Sequence, residues 1–202
     1  MTAIPLIFTS GWASGINAYA VVLMLGILGR FAHMSPVPPT LERTDVLAVA
    51  ALLFLCEFVL DKIPYVDSAW DLVHTVIRPA LGGAIGFLMA GHAHGSLVQA
   101  GAAALGGTTA LVTHLVKAGV RMGVNTSPEP ASNIIVSVLE DLTVACMVVL
   151  ALLHPVLAAT IAATLLLIGV FLVVMLVSRI RRYWLRRRER RQAGNRRLTP
   201  AR

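Results

Sequence analysis

Charged side chains are scarce in this chain, and several stand where only hydrocarbon is expected. Glu57, Asp61, Arg78, His114, Lys117 and Glu140 all fall inside or at the edge of long apolar runs. An ionisable group at the centre of a bilayer costs about 2.5–3.5 kcal/mol on insertion scales, so those that persist face a protein interior and find partners. Helical spacing sorts the polar groups into stripes. Ser10, Ser14 and Asn17 follow i, i+4, i+7, and Glu57 and Asp61 are one turn apart. His114, Lys117 and Arg121 follow i, i+3, i+7, while Asn133, Ser137 and Glu140 follow i, i+4, i+7 with Asp141 adjacent. Residues three and four apart share a helix face. The stripes are complementary in charge, and pairing Glu57 or Glu140 with Arg78 or Lys117 is expected, because an unpaired charge in a low dielectric neutralises or is expelled.

Three chemistries fit such an arrangement. The first is a polar cavity that handles an ion, a proton or a small polar solute, as in a transporter or channel. Glu57, Asp61, Arg78, His114, Lys117 and Glu140 would form its charged lining, with Asn17 and Asn125 as neutral ligands. The second is a scaffold or lipid-binding subunit whose ion pairs hold helices in register. The third is an enzyme acting on lipid, with Glu140 or His114 as general acid or base. The chain has no Ser-His-Asp ordering, no phosphate-cradling glycine loop followed by Lys and no paired-cysteine motif, so catalysis is not expected. His92 and His94 share a short turn, but a metal site normally needs three or four supported ligands. Cys56 and Cys146 lie in apolar runs and read as small hydrophobes. No metal and no cofactor are expected.

The elements that must position these groups are membrane helices. Of 202 residues, 57% are hydrophobic and 13% charged, with mean hydropathy +0.78; a soluble domain carries about a quarter of its residues as charges. A span needs about 20 apolar residues. That ruler predicts an all-α bundle of about six transmembrane helices over 4–31, 45–63, 77–91, 97–120, 133–153 and 155–178. The third is short and glycine-rich, so it reads as a half-helix or as part of a re-entrant hairpin with residues 65–76. Gly11 and Gly15, and Gly82 and Gly86, have the small-xxx-small spacing of close helix contacts, and the stretch Gly15–Asn17 could also break the first helix. Ser132 or Asn133 is the expected N-cap of the fifth helix. Residues 75–78 and 137–140 form a faint echo 62 positions apart, of the kind repeat-built transporters show.

The net charge of +7 divides unevenly: 179–202 hold eleven Arg and one Glu (+10), leaving six basic and nine acidic groups (−3) in the rest. The chain therefore divides into a membrane domain, 1–178, and an Arg-rich tail, 179–202. An Arg-rich segment directly after a span stays cytoplasmic, and with six spans the N-terminus is then cytoplasmic as well. The N-terminus has no basic n-region and reads as a retained helix, not as a cleaved signal. Arg179, Arg182, Arg186 and Arg190 share a helix face beside Tyr183 and Trp184, a pattern suited to anionic headgroups at the inner leaflet. The expected partners are membrane lipids, with a further copy of the chain as an allowed arrangement and no nucleic acid.

The stretches Ser14-Gly15-Ile16-Asn17-Ala18-Tyr19 and Asn125-Thr126-Ser127-Pro128-Glu129-Pro130, with Leu60-Asp61-Lys62-Ile63-Pro64 through Arg78-Pro79-Ala80, resemble a bacterial membrane family known as domain of unknown function 4126. The resemblance covers about residues 5 to 175 and leaves the tail outside. The family has no established reaction. The resemblance implies that the Asn17 region, Asp61-Lys62, Arg78 and the 125–130 loop belong to one site, in a bacterial cytoplasmic membrane.

Overall fold

A computed structural model describes residues 3–34, 36–63, 66–91, 95–124 and 130–198. Among these the chain is all-α. Its helices are α1 (Ala3–Ala32), α2 (Thr44–Leu60), α3 (Val66–Ala90), α4 (Ser96–Val124), α5 (Pro130–Leu153) and α6 (Pro155–Leu198), with a 3₁₀ turn at Pro39–Glu42. Four of them contain segments long and apolar enough to cross a membrane: Ala3–Ala32, Ala69–Ala90, Ile134–Leu153 and Pro155–Leu185. α2, at 17 residues, is at the short end of what a span requires. α4 has 29 residues, but Gly, Thr, His114, Lys117 and Arg121 dilute its apolar character.

Two local expectations are corrected. The third helix is not a half-helix: α3 runs unbroken through Pro79 and begins eleven residues before the expected start at Ile77. The fifth helix begins at Pro130, where proline suits the first turn because its missing N–H would have no intrahelical partner. Ser132 and Asn133 therefore lie inside α5 and do not cap it.

The interruption falls instead in α1. Asn17 has φ −148° and ψ 98°, extended values between two helical halves. Neither half reaches the roughly 20 residues that a span needs. Gly11 packs on Gly106 and Gly15 on Ala110, so the first half runs in the same sense as α4. Glu57 reaches Arg78, which also bonds His114, and one turn later Asp61 reaches Lys117 and Arg121; α2 therefore also runs with α4. The second half of α1 meets α2 in the opposite order, with Arg30 at Thr44, Gly26 at Leu47, and Tyr19 and Leu53 lining one cavity. The second half thus turns back toward the end from which the first entered.

Tight packing holds α1, α3 and α4 together. A Cβ on Gly11 would lie 2.6 Å from the Gly106 carbonyl oxygen, and one on Gly82 would lie 2.7 Å from the Ala110 Cβ and 2.9 Å from the Gly106 oxygen. Only hydrogen fits there, so backbones approach directly, the arrangement small-xxx-small spacing permits.

The chain divides into two compact units, Met1–Leu166 and Leu167–Arg202. The first contains the bundle and, among the described residues, the buried charges. The second is the remainder of α6, helical through Leu198, in which Arg179, Arg182, Tyr183 and Trp184 are exposed. The side chains of Arg186 and Arg190, like residues His92, His94 and Asn125, lie outside what the structure describes.

Candidate functional site

The site is built around the break in α1. An extended residue between two helical segments strips partners from the carbonyls before it and the amides after it. The Asn17 side chain repairs the second set: its Oδ1 accepts from the Ala20 N–H at 2.9 Å, as an N-cap does for the third helical residue. Cations satisfy the first set. The Ile16 carbonyl accepts from Lys117 Nζ at 2.9 Å and the Gly15 carbonyl from Arg78 Nη1 at 3.3 Å. These carbonyls form the negative end of the first half-helix, where positive charge is favoured. Asn17 Nδ2 also donates to Asp141 Oδ1 at 3.1 Å, tying the break to α5.

Around it lies a continuous ion network. Arg78 pairs with Glu57 at 2.5 Å and faces Asp71 at 3.1 Å. Lys117 pairs with Asp61 at 2.8 Å and Glu140 at 3.4 Å, and approaches Glu57 at 4.0 Å. Arg121 pairs with Glu140 at 2.6 Å and Asp61 at 3.1 Å, and donates to the Asp61 carbonyl at 2.8 Å. Lys62, just past α2, donates to Ser137 at 3.4 Å and lies 4.0 Å from Asp141. Glu57, Arg78, His114, Arg121 and Asn17 are at most 1% exposed. Charges this deep are tolerated only with close partners, because removing water from an ion costs several kcal/mol.

Two histidines extend the network. His74 Nδ1 lies 2.8 Å from the Trp70 carbonyl, which can only accept, so Nδ1 carries a hydrogen, and Nε2 shares a hydrogen bond with the Tyr19 hydroxyl at 3.1 Å. His114 Nδ1 lies 2.7 Å from Arg78 Nη1, which can only donate, so Nδ1 is bare. Its Nε2–H then donates to Thr75 Oγ1 at 3.1 Å, while the Thr75 hydroxyl donates to the Asp71 carbonyl. The His114 ring is therefore neutral in this arrangement.

Access is graded. The side chains of Lys62, Glu140 and Asp141 are 15–19% exposed, whereas the remaining network charges are nearly sealed. A cavity of about 160 Å³, lined by Trp12, Ile16, Thr113, Val120 and Leu165 among others, reaches Lys117 and Glu140. Two larger cavities, beside Tyr19 and beside Ile7, are almost wholly apolar.

A family model described as Domain of unknown function (DUF4126) matches residues 4–175. The chain belongs to this family. The DUF4126 match takes in every residue of the network and stops short of the Arg-rich tail. No curated protein and no solved structure matches the chain.

The structure brings Asn17, Glu57, Asp61, Arg78, His114, Lys117 and Glu140 into one constellation. Of the four pieces that the DUF4126 resemblance joins, the Asn17 region, Asp61-Lys62 and Arg78 meet, and the 125–129 loop lies outside the described residues. Sequence reasoning missed Tyr19, Asp71, His74 and Thr75. Asp71, His74 and Arg78 follow i, i+3, i+7 on α3, the same stripe signature used elsewhere. Starting the third span at Ile77 hid it.

Proposed function

We propose that the chain is a small transporter or channel-like protein of the bacterial cytoplasmic membrane, passing an ion or small polar solute along the network. The carrying observation is the break at Asn17, whose freed carbonyls face Arg78 and Lys117 among buried charges. Discontinuous helices whose ends meet charged groups near mid-bundle are a recurrent way to build an ion site in hydrocarbon, and intramembrane ionisable residues mark such paths. Glu57, Asp61, Arg78, Lys117 and Glu140 supply charge, Asn17 a neutral ligand and His114 a hinge between Arg78 and Thr75. The Arg-rich end of α6 sits at the cytoplasmic face, with Arg179, Arg182, Tyr183 and Trp184 at headgroup depth.

The test is flux through vesicles carrying the purified chain, followed with a pH-sensitive dye for protons and with Na⁺ and K⁺ indicators. Wild type should pass one of these above protein-free vesicles, and Arg78→Gln should abolish it. Engineered cysteines at 137 and 140 should react with small aqueous thiol reagents. No flux of any probe, together with unreactive cysteines at both positions, overturns the reading. A second reading, an ion-pair scaffold without flux, is favoured by how completely Arg78, Lys117 and Arg121 are paired. It predicts that exchanging Glu57 and Arg78 together restores assembly lost in either single variant.

A further inference from the structure

Among the described residues, the charges of the network do not balance: four cations (Lys62, Arg78, Lys117, Arg121) meet five carboxylates (Glu57, Asp61, Asp71, Glu140, Asp141). Four of the carboxylates have a cation within 3.1 Å: Glu57 and Asp71 share Arg78, Asp61 has Lys117 and Arg121, and Glu140 has Arg121. Asp141 differs in its cation. Among the described residues its nearest is Lys62 at 4.0 Å, and its Oδ1 accepts from the neutral Asn17 amide at 3.1 Å; its Oδ2 is buried with no hydrogen-bond partner among them, as are both oxygens of Asp71. The groups that face it are Asn17 from α1, Asp61 and Lys62 from the end of α2, Lys117 from α4 and its neighbour Glu140 on α5. Among the described residues no guanidinium is within ion-pair distance of it.

We propose that Asp141 carries one exchangeable proton, which neutralises the network and is the ion that the proposed path handles. The inference rests on that transport reading. The step is an acid–base exchange with water: the Asp141 carboxylate and a hydronium ion give the carboxylic acid and water, with no other co-reactant. Protonation leaves four carboxylates against four cations. A buried surplus charge is the most costly state available to such a cluster, and the carboxylate with the weakest cationic partner gives it up first. The Asp141 side chain is 15% exposed, so the proton has a route to water that the sealed Glu57 lacks. Asn17 holds Oδ1 in either state, because a carboxylic acid keeps an acceptor oxygen.

Infrared difference spectra between about pH 6, where exposed carboxylates stay ionised, and alkaline pH, taken on the full chain in lipid, read this directly. A protonated carboxylic acid gives a carbonyl band that shifts in D₂O. Wild type should show one such band. Asp141→Asn should lose it, since four carboxylates then balance four cations without a proton. Asp141→Glu keeps the charge but changes the acid that bears the proton, so its band should reappear at a different frequency. A band at the wild-type frequency in Asp141→Glu places the proton elsewhere and overturns the assignment. So does a band remaining in Asp141→Asn, or its absence from wild type at every pH. The spectra do not depend on flux, so vesicles that pass nothing while the band behaves as expected would sink the transport reading and leave the protonation site standing.

Discussion

Asn17 performs two tasks with one side chain, and their loss can be weighed. Asn17→Ala removes the oxygen that accepts from the Ala20 N–H and the amide that donates to Asp141. Loss of an N-cap of this kind costs about 0.5–2 kcal/mol. At alkaline pH, with Asp141 ionised, a hydrogen bond to it is worth about 1.5–3 kcal/mol, and at a site 1% exposed water does not replace it. Together these come to about 2–5 kcal/mol. For a chain of this size 1 kcal/mol moves the midpoint by about 2–4 °C, so the fall is about 4–20 °C. Thermal unfolding in detergent, followed by tryptophan fluorescence, measures it. Asn17→Ser separates the tasks, because serine caps well but is too short to reach Asp141; its midpoint should fall between wild type and Asn17→Ala. An Asn17→Ala midpoint within 2 °C of wild type, a fall smaller than the low end of that range, would refute the account of the break as a capped, load-sharing junction.

Other expectations follow from the same geometry. Glu57→Ala leaves Arg78 buried with only Asp71 as an ionic partner and should cost about 3–5 kcal/mol; in Glu57→Ala with Arg78→Met much of that loss should return, read from the same melts. Gly82→Val drives a side chain into Ala110 and the Gly106 backbone and should prevent a monodisperse, folded protein from being recovered on size exclusion. In a chain without Cys56 and Cys146, single cysteines at 3, 33 and 95 should all react with an impermeant thiol reagent from one side of the membrane. Labelling of 3 and 33 from opposite sides would mean that α1 crosses directly. Replacing the arginines of 186–191 by Gln should scramble the orientation of the C-terminus, seen as a terminal tag reachable from both sides.

Much of the network was legible because charge in hydrocarbon is expensive and helical periodicity is simple. The stripe His114, Lys117, Arg121 and the pair Glu57, Asp61 are recognisable from spacing alone, and partners of opposite sign follow from the cost of leaving either unpaired. Two things were hidden. α3 begins with Trp70, Asp71, His74 and Thr75 among apolar residues, a mixture that a hydropathy ruler treats as a loop, so half of its polar face went unread. The break in α1 is legible in the sequence only as one use of the stretch Gly15–Asn17, because Gly11 and Gly15 serve helix packing and Asn17 serves the break, within one short run of small residues. What distinguishes them is which neighbour touches each, and that is a property of the assembled bundle. The fold-back of α1 has the same origin: a hydropathy ruler reads its 30 residues as one mostly apolar stretch and is blind to a reversal of direction among them.

The glycine contacts between α3 and α4 also decide which parts of this molecule can move. Helices slide past one another on layers of side chains that can change rotamer. At Gly82 and Gly106 no such layer exists, and a shift of either helix would drive backbone into backbone. α3 and α4 therefore act as a stator. Arg78, His74 and Thr75 ride on one bar of it and His114, Lys117 and Arg121 on the other, at fixed mutual distances. The first half of α1, seated on Gly106 and Ala110 through Gly11 and Gly15, belongs to that frame, so on the proposed reading any working stroke falls to the second half of α1, the short α2 and the Asp141 face of α5. Glu57, Asp61, Glu140 and Asp141 sit on or beside those pieces while Asp71 stays on α3, so such a stroke carries four of the five carboxylates and leaves most of the positive charges in place.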